Sequence, residues 1–278
     1  MNFSIVTPSF RNSKWLKLCI ASVADQEGVT LEHIVQDSCS DDGTQDWLPQ
    51  DKRVTAFIEK DKGMYDAINR GFRRAQGDIV AYLNCDEQYL PGGLKAVHDY
   101  FKQHPGVDAV FADTIVVDPE GKYLCHRKSL LPRANHIWVR FSNLTCAIFL
   151  RRKCLEEKRL FFDTQWRDLG DVYWVMEMIN RGVSMAVLDC FTSVFFETGD
   201  NMNLKPNAVR ERQLKAEQTP KRIKRMWSLY LLAHRLRMLK SGTYFQMPFD
   251  FSIFTPASSE RRMQQHVAKP TGIWRARL

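Results

Sequence analysis

Between residues 3 and 111 the apolar positions switch repeatedly between a strand-like run and a helical period. Phe3 to Thr7 is a short β-rich run that stops at Pro8, and Trp15 to Ala24 places apolar residues at helical spacing. Leu31 to Val35 reads as a second strand and Val54 to Ile58 as a third. From Met64 to Ala75, positions 64, 65, 68, 72 and 75 are apolar, which is one face of a helix. Ile79 to Leu83 is an unbroken apolar run of the kind buried on both faces. Leu94 to Phe101 is helical, and Ala109 to Phe111 is strand-like. This alternation predicts an α/β fold, a mostly parallel sheet flanked by helices. Ligands of such sheets bind at the carboxyl ends of strands. Asp37, Asp61 and the segment around Asp86 each follow a predicted strand directly.

Beyond residue 112 the pattern loosens. Residues 114–150 mix strand-like runs with polar segments, 171–181 read as a helix ended by Gly182, and Val183 to Phe196 returns to strand character. From about 203 the chain is basic and helical, and 241–278 has little periodicity. The expected organisation is one unit over 1–202, with halves 1–112 and 113–202, and an extension over 203–278.

Charge sharpens that division. The whole chain carries a net charge of +8, yet residues 203–278 hold 16 Lys and Arg against 4 Asp and Glu. The remainder is net acidic, so nucleic-acid binding suits only the tail, and no groove-reading module accompanies it. Seven cysteines, with no C-x-x-C pair, favour neither a disulfide framework nor a zinc site. No signal-like leader and no apolar run of membrane-spanning length is visible. The expectation is a cytoplasmic protein, soluble or peripheral at the inner face of a membrane.

Two segments carry candidate chemistry. In Leu83-Asn84-Cys85-Asp86-Glu87, Asn84 and Asp86 lie two apart and point to the same side of an extended strand. Oxygen ligands at that spacing suit Mg²⁺ or Mn²⁺, although Asx residues after a strand are also common turn formers. In Phe162 to Trp174, Asp171 follows Gly170 and opens a helix. Locally it reads either as a helix N-cap or as a general base.

Several ordered stretches resemble the family 2 glycosyltransferases of the GT-A fold, in the branch that builds bacterial surface polysaccharides. They are Thr7-Pro8-Ser9-Phe10, the Asp37 to Thr44 turn, Glu59 to Gly71, Gly77-Asp78-Ile79-Val80 and Leu83 to Gly92. The resemblance is strong over residues 1–100, fair from 140 to 200 and absent beyond. It implies an inverting, metal-dependent enzyme that moves a sugar from a nucleotide-sugar donor, a UDP-sugar by default, to a saccharide or lipid-linked saccharide acceptor. It makes 1–112 the donor half and 113–202 the acceptor half. Carried over, Thr7, Pro8, Ser9 and Asp37 line the nucleoside pocket, with Asp61, Asp66, Asn69, Asn84 and Cys85 along the nucleotide-sugar site. Asp86 is the metal ligand for Mn²⁺ or Mg²⁺, and Asp171 is the catalytic base, with Asp168 as runner-up. Asp66 and Asn69 read equally as polar residues on an amphipathic helix.

Two departures stand out. Glu87 replaces the second aspartate usual in the metal motif, and Asn143-Leu144-Thr145-Cys146 occupies the place of a His-Gln pair. They leave open a non-catalytic protein of the same fold that binds nucleotide sugar or polysaccharide. In the tail, Lys221 to Lys240 mixes cations with Trp227 and several leucines. It suits either peripheral contact with an anionic membrane or packing on protein.

Overall fold

The computed structural model describes residues 1–199 and 206–274. The strands are β1 (Asn2–Ser9), β2 (Thr30–Asp37), β3 (Thr55–Ile58), β4 (Ile79–Tyr82), β5 (Glu87–Tyr89), β6 (Ala109–Val117), β7 (Tyr123–Arg127), β8 (Ile148–Arg151), β9 (Met185–Phe196), β10 (Phe249–Thr255) and β11 (Ser258–Val267). The helices are α1 (Ser13–Ala24), α2 (Thr44–Trp47), α3 (Met64–Arg74), α4 (Gly93–Gln103), α5 (Ala134–Val139), α6 (Lys153–Glu157), α7 (Gly170–Asn180), α8 (Pro206–Gln218), α9 (Lys221–Arg225) and α10 (Trp227–Lys240).

The main sheet runs β3-β2-β1-β4-β8-β6-β9-β5, with β7 beside β6. Its first four strands are all parallel, as is the long β6–β9 pairing, while the antiparallel pairings are short. Strand alternation divides the core: Phe3 and Ile5 face α1 and α4 with Cys19, Val23, Leu94 and Val97, while Val6 faces α3 and α7 with Ile68, Phe72, Trp174 and Val175. Helices therefore cover both faces, as the α/β pattern requires.

β1 passes through Pro8 and ends at Ser9, two residues beyond the expected stop. Pairing with β4 ends at Tyr82 opposite Val6, and the last ladder bond on that side runs from Leu83 N to Val6 O at 2.9 Å. Pro8 would donate toward the same side, where the neighbouring strand has already left, so its missing N–H costs no bond.

The boundary expected at 202–203 lies outside the described residues. Past it, α8, α9 and α10 follow the helical expectation, but 249–267 folds into an antiparallel hairpin. Phe251, Ile253 and Val267 of this hairpin pack with Ile115, Val117, Val194 and Phe196 at the ends of β6 and β9. Among the described residues, no helix is long and apolar enough to cross a membrane.

Candidate active site

Parallel order places the carboxyl ends of β1, β2, β3 and β4 along one edge, and short contacts tie them together. Ser38 N donates to Ser9 O at 2.9 Å, and Asp61 N approaches Ser38 Oγ at 3.4 Å. Asn12 Nδ2 donates to Cys85 Sγ at 3.3 Å, joining the turn after β4 to the start of α1. Arg11 and Cys39, both in loops of this edge, hold left-handed φ values of 51° and 56°. Such backbone costs about 1–2 kcal/mol per residue and is concentrated at functional loops.

The expected nucleoside residues sit here, but not all face a ligand. Thr7 is fully buried, with Oγ1 2.8 Å from His33 Nε2. Pro8 is buried too, while the hydroxyl of buried Ser9 has no partner. Asp37 is fully buried, and its two oxygens accept Ser40 N at 2.8 Å and Ser40 Oγ at 2.6 Å. It shapes the turn that follows, and a nucleoside reaches it only if that turn shifts. Asp61 is half-buried and holds Gly63 N at 2.8 Å.

Asp66 and Asn69 lie on α3, and both are engaged within the protein. Asp66 pairs with Arg70 at 3.0 Å and accepts Lys62 N at 3.1 Å. Asn69, 3% exposed, exchanges two 2.8 Å hydrogen bonds with the backbone N and O of Phe162. Both ends of its amide are used, so it fastens the segment at Phe162 to α3.

A residue not singled out from sequence stands at the same edge. The Phe10 ring is 48% exposed, with the Arg11 guanidinium 5.0 Å and the Lys60 ammonium 5.1 Å from its centroid. A flat ring flanked by two cations suits an aromatic base followed by phosphate. The only sequence signal was its place after Ser9.

After β4 the chain turns so that Asn84 and Asp86 are half-buried while Cys85 and Glu87 point inward. Glu87 is 1% exposed, accepts Asn84 N at 2.8 Å, and lies on β5 against β9. Burial, then the neighbouring Asp86 charge, pushes its carboxyl up to about 8, so it is largely neutral near pH 7. Burial likewise raises Asp86 to about 6. The Asn84 Oδ1 atom is buried without a partner. No group of three or more His, Cys, Asp or Glu side chains converges among the described residues. One carboxylate and one orphaned amide oxygen fit a hard divalent cation that takes its remaining oxygens from ligand and water. Glu87, buried on β5 against β9, is not part of that pair.

The second carboxylate arrives from the other half of the sheet. Asp171 is in the first turn of α7, where Leu169 is the N-cap residue and no side chain caps the helix. The N-cap reading therefore falls. Its carboxylate accepts Val172 N at 2.8 Å, and its own N–H donates to the Tyr65 hydroxyl at 3.2 Å. Burial raises its carboxyl to about 6 against the opposing pull of the Val172 N–H and Lys215. A Cβ on Gly170 would stand 2.4 Å from the Tyr65 ring, so glycine is needed for this close approach. Tyr82 at the end of β4 feels both Asp171 and Glu87, which puts the two carboxylate regions around one aromatic cluster.

The extension enters this site. Glu211 of α8 accepts the backbone N–H groups of Arg167, Asp168 and Leu169 at 2.8, 3.0 and 2.8 Å. Asp168 accepts Asn207 Nδ2 at 2.6 Å, so it is tied to α8. Lys215 donates to Ile137 O at 3.0 Å and lies near Asp171. Sequence reasoning missed Glu211 and Lys215 because no local pattern marks them.

The sheet and its acidic edge define a GT-A type α/β protein. Solved structures agree: Staphylococcus aureus TarS residues 1–349 in complex with UDP-GlcNAc superposes with a TM-score of 0.61 at 16% identity, covering 86% of this chain and 73% of that one. The mannosyltransferase PcManGT from Pyrobaculum calidifontis, in complex with GDP-Man and Mn²⁺, gives 0.55 at 18% identity, covering 86% and 72%. Residues 4–167, more than half of the chain, match the model of glycosyl transferase family 2, and the chain belongs to that family. The putative teichuronic acid biosynthesis glycosyltransferase TuaG of Bacillus subtilis is 36% identical over 97 residues, 33% of this chain and 38% of that protein. The GalNAc(5)-diNAcBac-PP-undecaprenol beta-1,3-glucosyltransferase of Campylobacter jejuni is 27% identical over 185 residues, 62% of this chain and 58% of that protein. The chain thus spans well under two thirds of the length of these curated relatives.

Proposed function

We propose that the protein is an inverting transferase that moves a sugar from a nucleoside-diphosphate donor, a UDP-sugar first among them, onto an acceptor hydroxyl in surface polysaccharide or glycolipid assembly. The observation that carries this reading is a pair of separate carboxylate regions around the Tyr82 ring cluster: Asp86 beside an orphaned amide oxygen, and Asp171 with raised proton affinity.

In this reading residues 1–112 hold the donor, 113–202 present the acceptor, and the extension braces the acceptor side. Phe10 stacks on the base, and Ser9 and Asp61 offer polar contacts beside it. Asp86 with Asn84 would hold Mn²⁺ or Mg²⁺, which when bound neutralises charge on the diphosphate. The acceptor hydroxyl gives its proton to Asp171, and its oxygen bonds to the anomeric carbon from the face opposite the diphosphate. The bond from that carbon to the diphosphate breaks, and the nucleoside diphosphate leaves with the electron pair. A base with a pKa near 6 is well matched to such a step near neutral pH.

The UDP-GlcNAc bound by TarS and the role of TuaG support the donor and pathway class, and the diphosphate-linked lipid named for the Campylobacter relative supports a lipid-linked acceptor. Peripheral membrane contact is supported by α10, whose Leu229, Leu232, Leu236 and Leu239 are 60, 55, 50 and 45% exposed. These residues form one stripe at helical spacing with Arg235 and Lys240 beside it.

The test is donor turnover across UDP-, GDP- and dTDP-sugars with Mn²⁺ or Mg²⁺. Metal-dependent release of one nucleoside diphosphate, lost in Asp86→Ala and Asp171→Asn, is the expected result. Folded protein that binds donor and releases nothing, even with lipid-linked acceptors present, would make it a non-catalytic binder.

A further inference from the structure

Beneath α10, on the side away from its leucine stripe, lies a narrow cleft that is open at its mouth. It is closed on the other side by α5 and the flanking segments 130–133 and 140–143. Its charged lining is entirely cationic or imidazole: Arg133, His136, Arg140, His234 and Arg237. Arg133 and Arg140 are exposed at the mouth, Arg237 and His136 are half-buried, and His234 is 6% exposed at the base.

Two buried ring nitrogens, His234 Nε2 and His136 Nδ1, have no hydrogen-bond partner. Among the described residues, the Arg237 guanidinium donates only to a backbone oxygen, that of Leu131. Among the described residues, none of Arg133, Arg140 and Arg237 has a carboxylate partner. Burial, then Arg140, Arg237, Arg127 and His136, pushes His234 down to about 4. Neighbouring cations with buried, unused polar atoms are costly unless an anion shares the site.

The walls are fixed. Asn143 clamps the two flanking segments by accepting Leu130 N at 3.3 Å and donating to Leu130 O at 3.0 Å. The His136 ring meets Tyr230 of α10 edge-on at 5.3 Å. One wall residue is tied toward the candidate base: Ile137 O on α5 accepts Lys215 Nζ, the ammonium that lies near Asp171.

We propose that this cleft is an anion site that takes a phosphoryl group, with Arg133 and Arg140 at its mouth and His136, His234 and Arg237 within. Guanidinium groups match the geometry of phosphate oxygens, and a buried imidazole supplies a further donor once it is protonated against the anion. The group could come from a lipid headgroup or from a soluble phosphate ester, and the chemistry of recognition is the same. The site stands on its own geometry and does not depend on the transfer reaction.

The test uses the full chain with inorganic pyrophosphate in EDTA, which removes metal-assisted binding at Asp86. The ring signals of His136 and His234, assigned with His136→Gln and His234→Gln, are followed by NMR, and calorimetry counts pyrophosphate sites independently. Both signals are expected to move to saturation. In Arg133→Gln/Arg140→Gln, whose changes lie on the surface, the midpoint should rise about a hundredfold, roughly tenfold for each charge-assisted contact. The same variant is then floated with phosphatidylcholine vesicles containing phosphatidic acid or an equal share of phosphatidylserine. Selective loss of phosphatidic acid binding assigns a headgroup, whereas lost pyrophosphate binding with unchanged flotation assigns a soluble ester. Ring signals that stay still through about 10 mM pyrophosphate, or that respond equally in the variant, overturn the proposal.

Discussion

Removing the Glu211 carboxylate should uncouple catalysis from donor binding. Glu211 is 4% exposed and holds three consecutive backbone N–H groups, with Asn207 Nδ2 as a fourth donor at 2.9 Å. Those three residues lead straight into α7, two positions before Asp171. Hydrogen bonds to a charged acceptor contribute about 1.5–3 kcal/mol each, so the backbone set of three represents roughly 4.5–9 kcal/mol before compensation. The segment can turn toward water in Glu211→Ala, which leaves an expected net loss of about 2–4 kcal/mol. That is enough to free the start of α7, and a misplacement of about 1 Å at a catalytic group costs around a hundredfold. The edge formed by β1 to β4 takes no part in the hydrogen bonds of Glu211. The expected outcome is a kcat lowered about a hundredfold with UDP affinity unchanged, measured by nucleoside diphosphate release and by calorimetry. Glu211→Gln, which keeps one acceptor oxygen, should fall between. Burial raises the Glu211 carboxyl, but the N–H groups of Arg167, Asp168 and Leu169 outweigh it and hold it below its ordinary value. A depressed carboxylate contributes stability above its unfolded value and loses it as pH falls through the folded one. The gap in melting temperature between wild type and Glu211→Ala should therefore narrow below about pH 4. A variant with kcat within about threefold of wild type and an unchanged melting temperature would refute the reasoning.

The remaining predictions concern the two carboxylates and the tail. Asp171→Asn should bind donor normally and turn it over about 10²–10⁴ times more slowly. Wild-type kcat/KM should rise with pH through about 6 as Asp171 ionises, and a flat profile there would remove it as the base. Metal-dependent UDP binding, followed by calorimetry with and without EDTA, should vanish in Asp86→Ala and persist in Glu87→Gln, because Glu87 faces the core. Glu87 has a raised folded value, so its contribution to stability is present at low pH and lost as pH rises through about 8. Glu87→Gln should gain melting temperature relative to wild type between pH 6 and 9, and the opposite trend would show that the carboxylate is stabilised where it lies. Leu232→Glu/Leu236→Glu, at exposed positions, should leave stability within about 0.5 kcal/mol and abolish flotation with anionic vesicles; retained flotation would remove α10 as the contact.

How much of this was legible in the sequence depends on where each residue's partner lies. The acidic edge announces itself because every parallel strand there is followed at once by its own polar turn, so Asp37, Asp61 and Asp86 mark the edge without knowledge of the rest. Asp171 could be found the same way, since Gly170 and the helix start adjoin it, but its freedom from capping could only be seen in three dimensions. Asn69 shows the limit: its partner Phe162 lies 93 positions further on, and nothing local says that the amide is consumed there. Glu211 stands 42 to 44 positions after the N–H groups it holds, so a buried brace looked like one more charge on a polar helix. The hairpin was hidden for another reason. Phe251 to Thr255 is buried on both faces of β10, whereas β11 is almost wholly polar, so neither strand shows the alternation that betrays a half-buried one. The charge of the tail was plain, but its meaning lies in direction. On α10 the leucines face outward and Arg237 with His234 face inward, and one helix thereby offers an apolar surface on one side and a cationic cleft on the other.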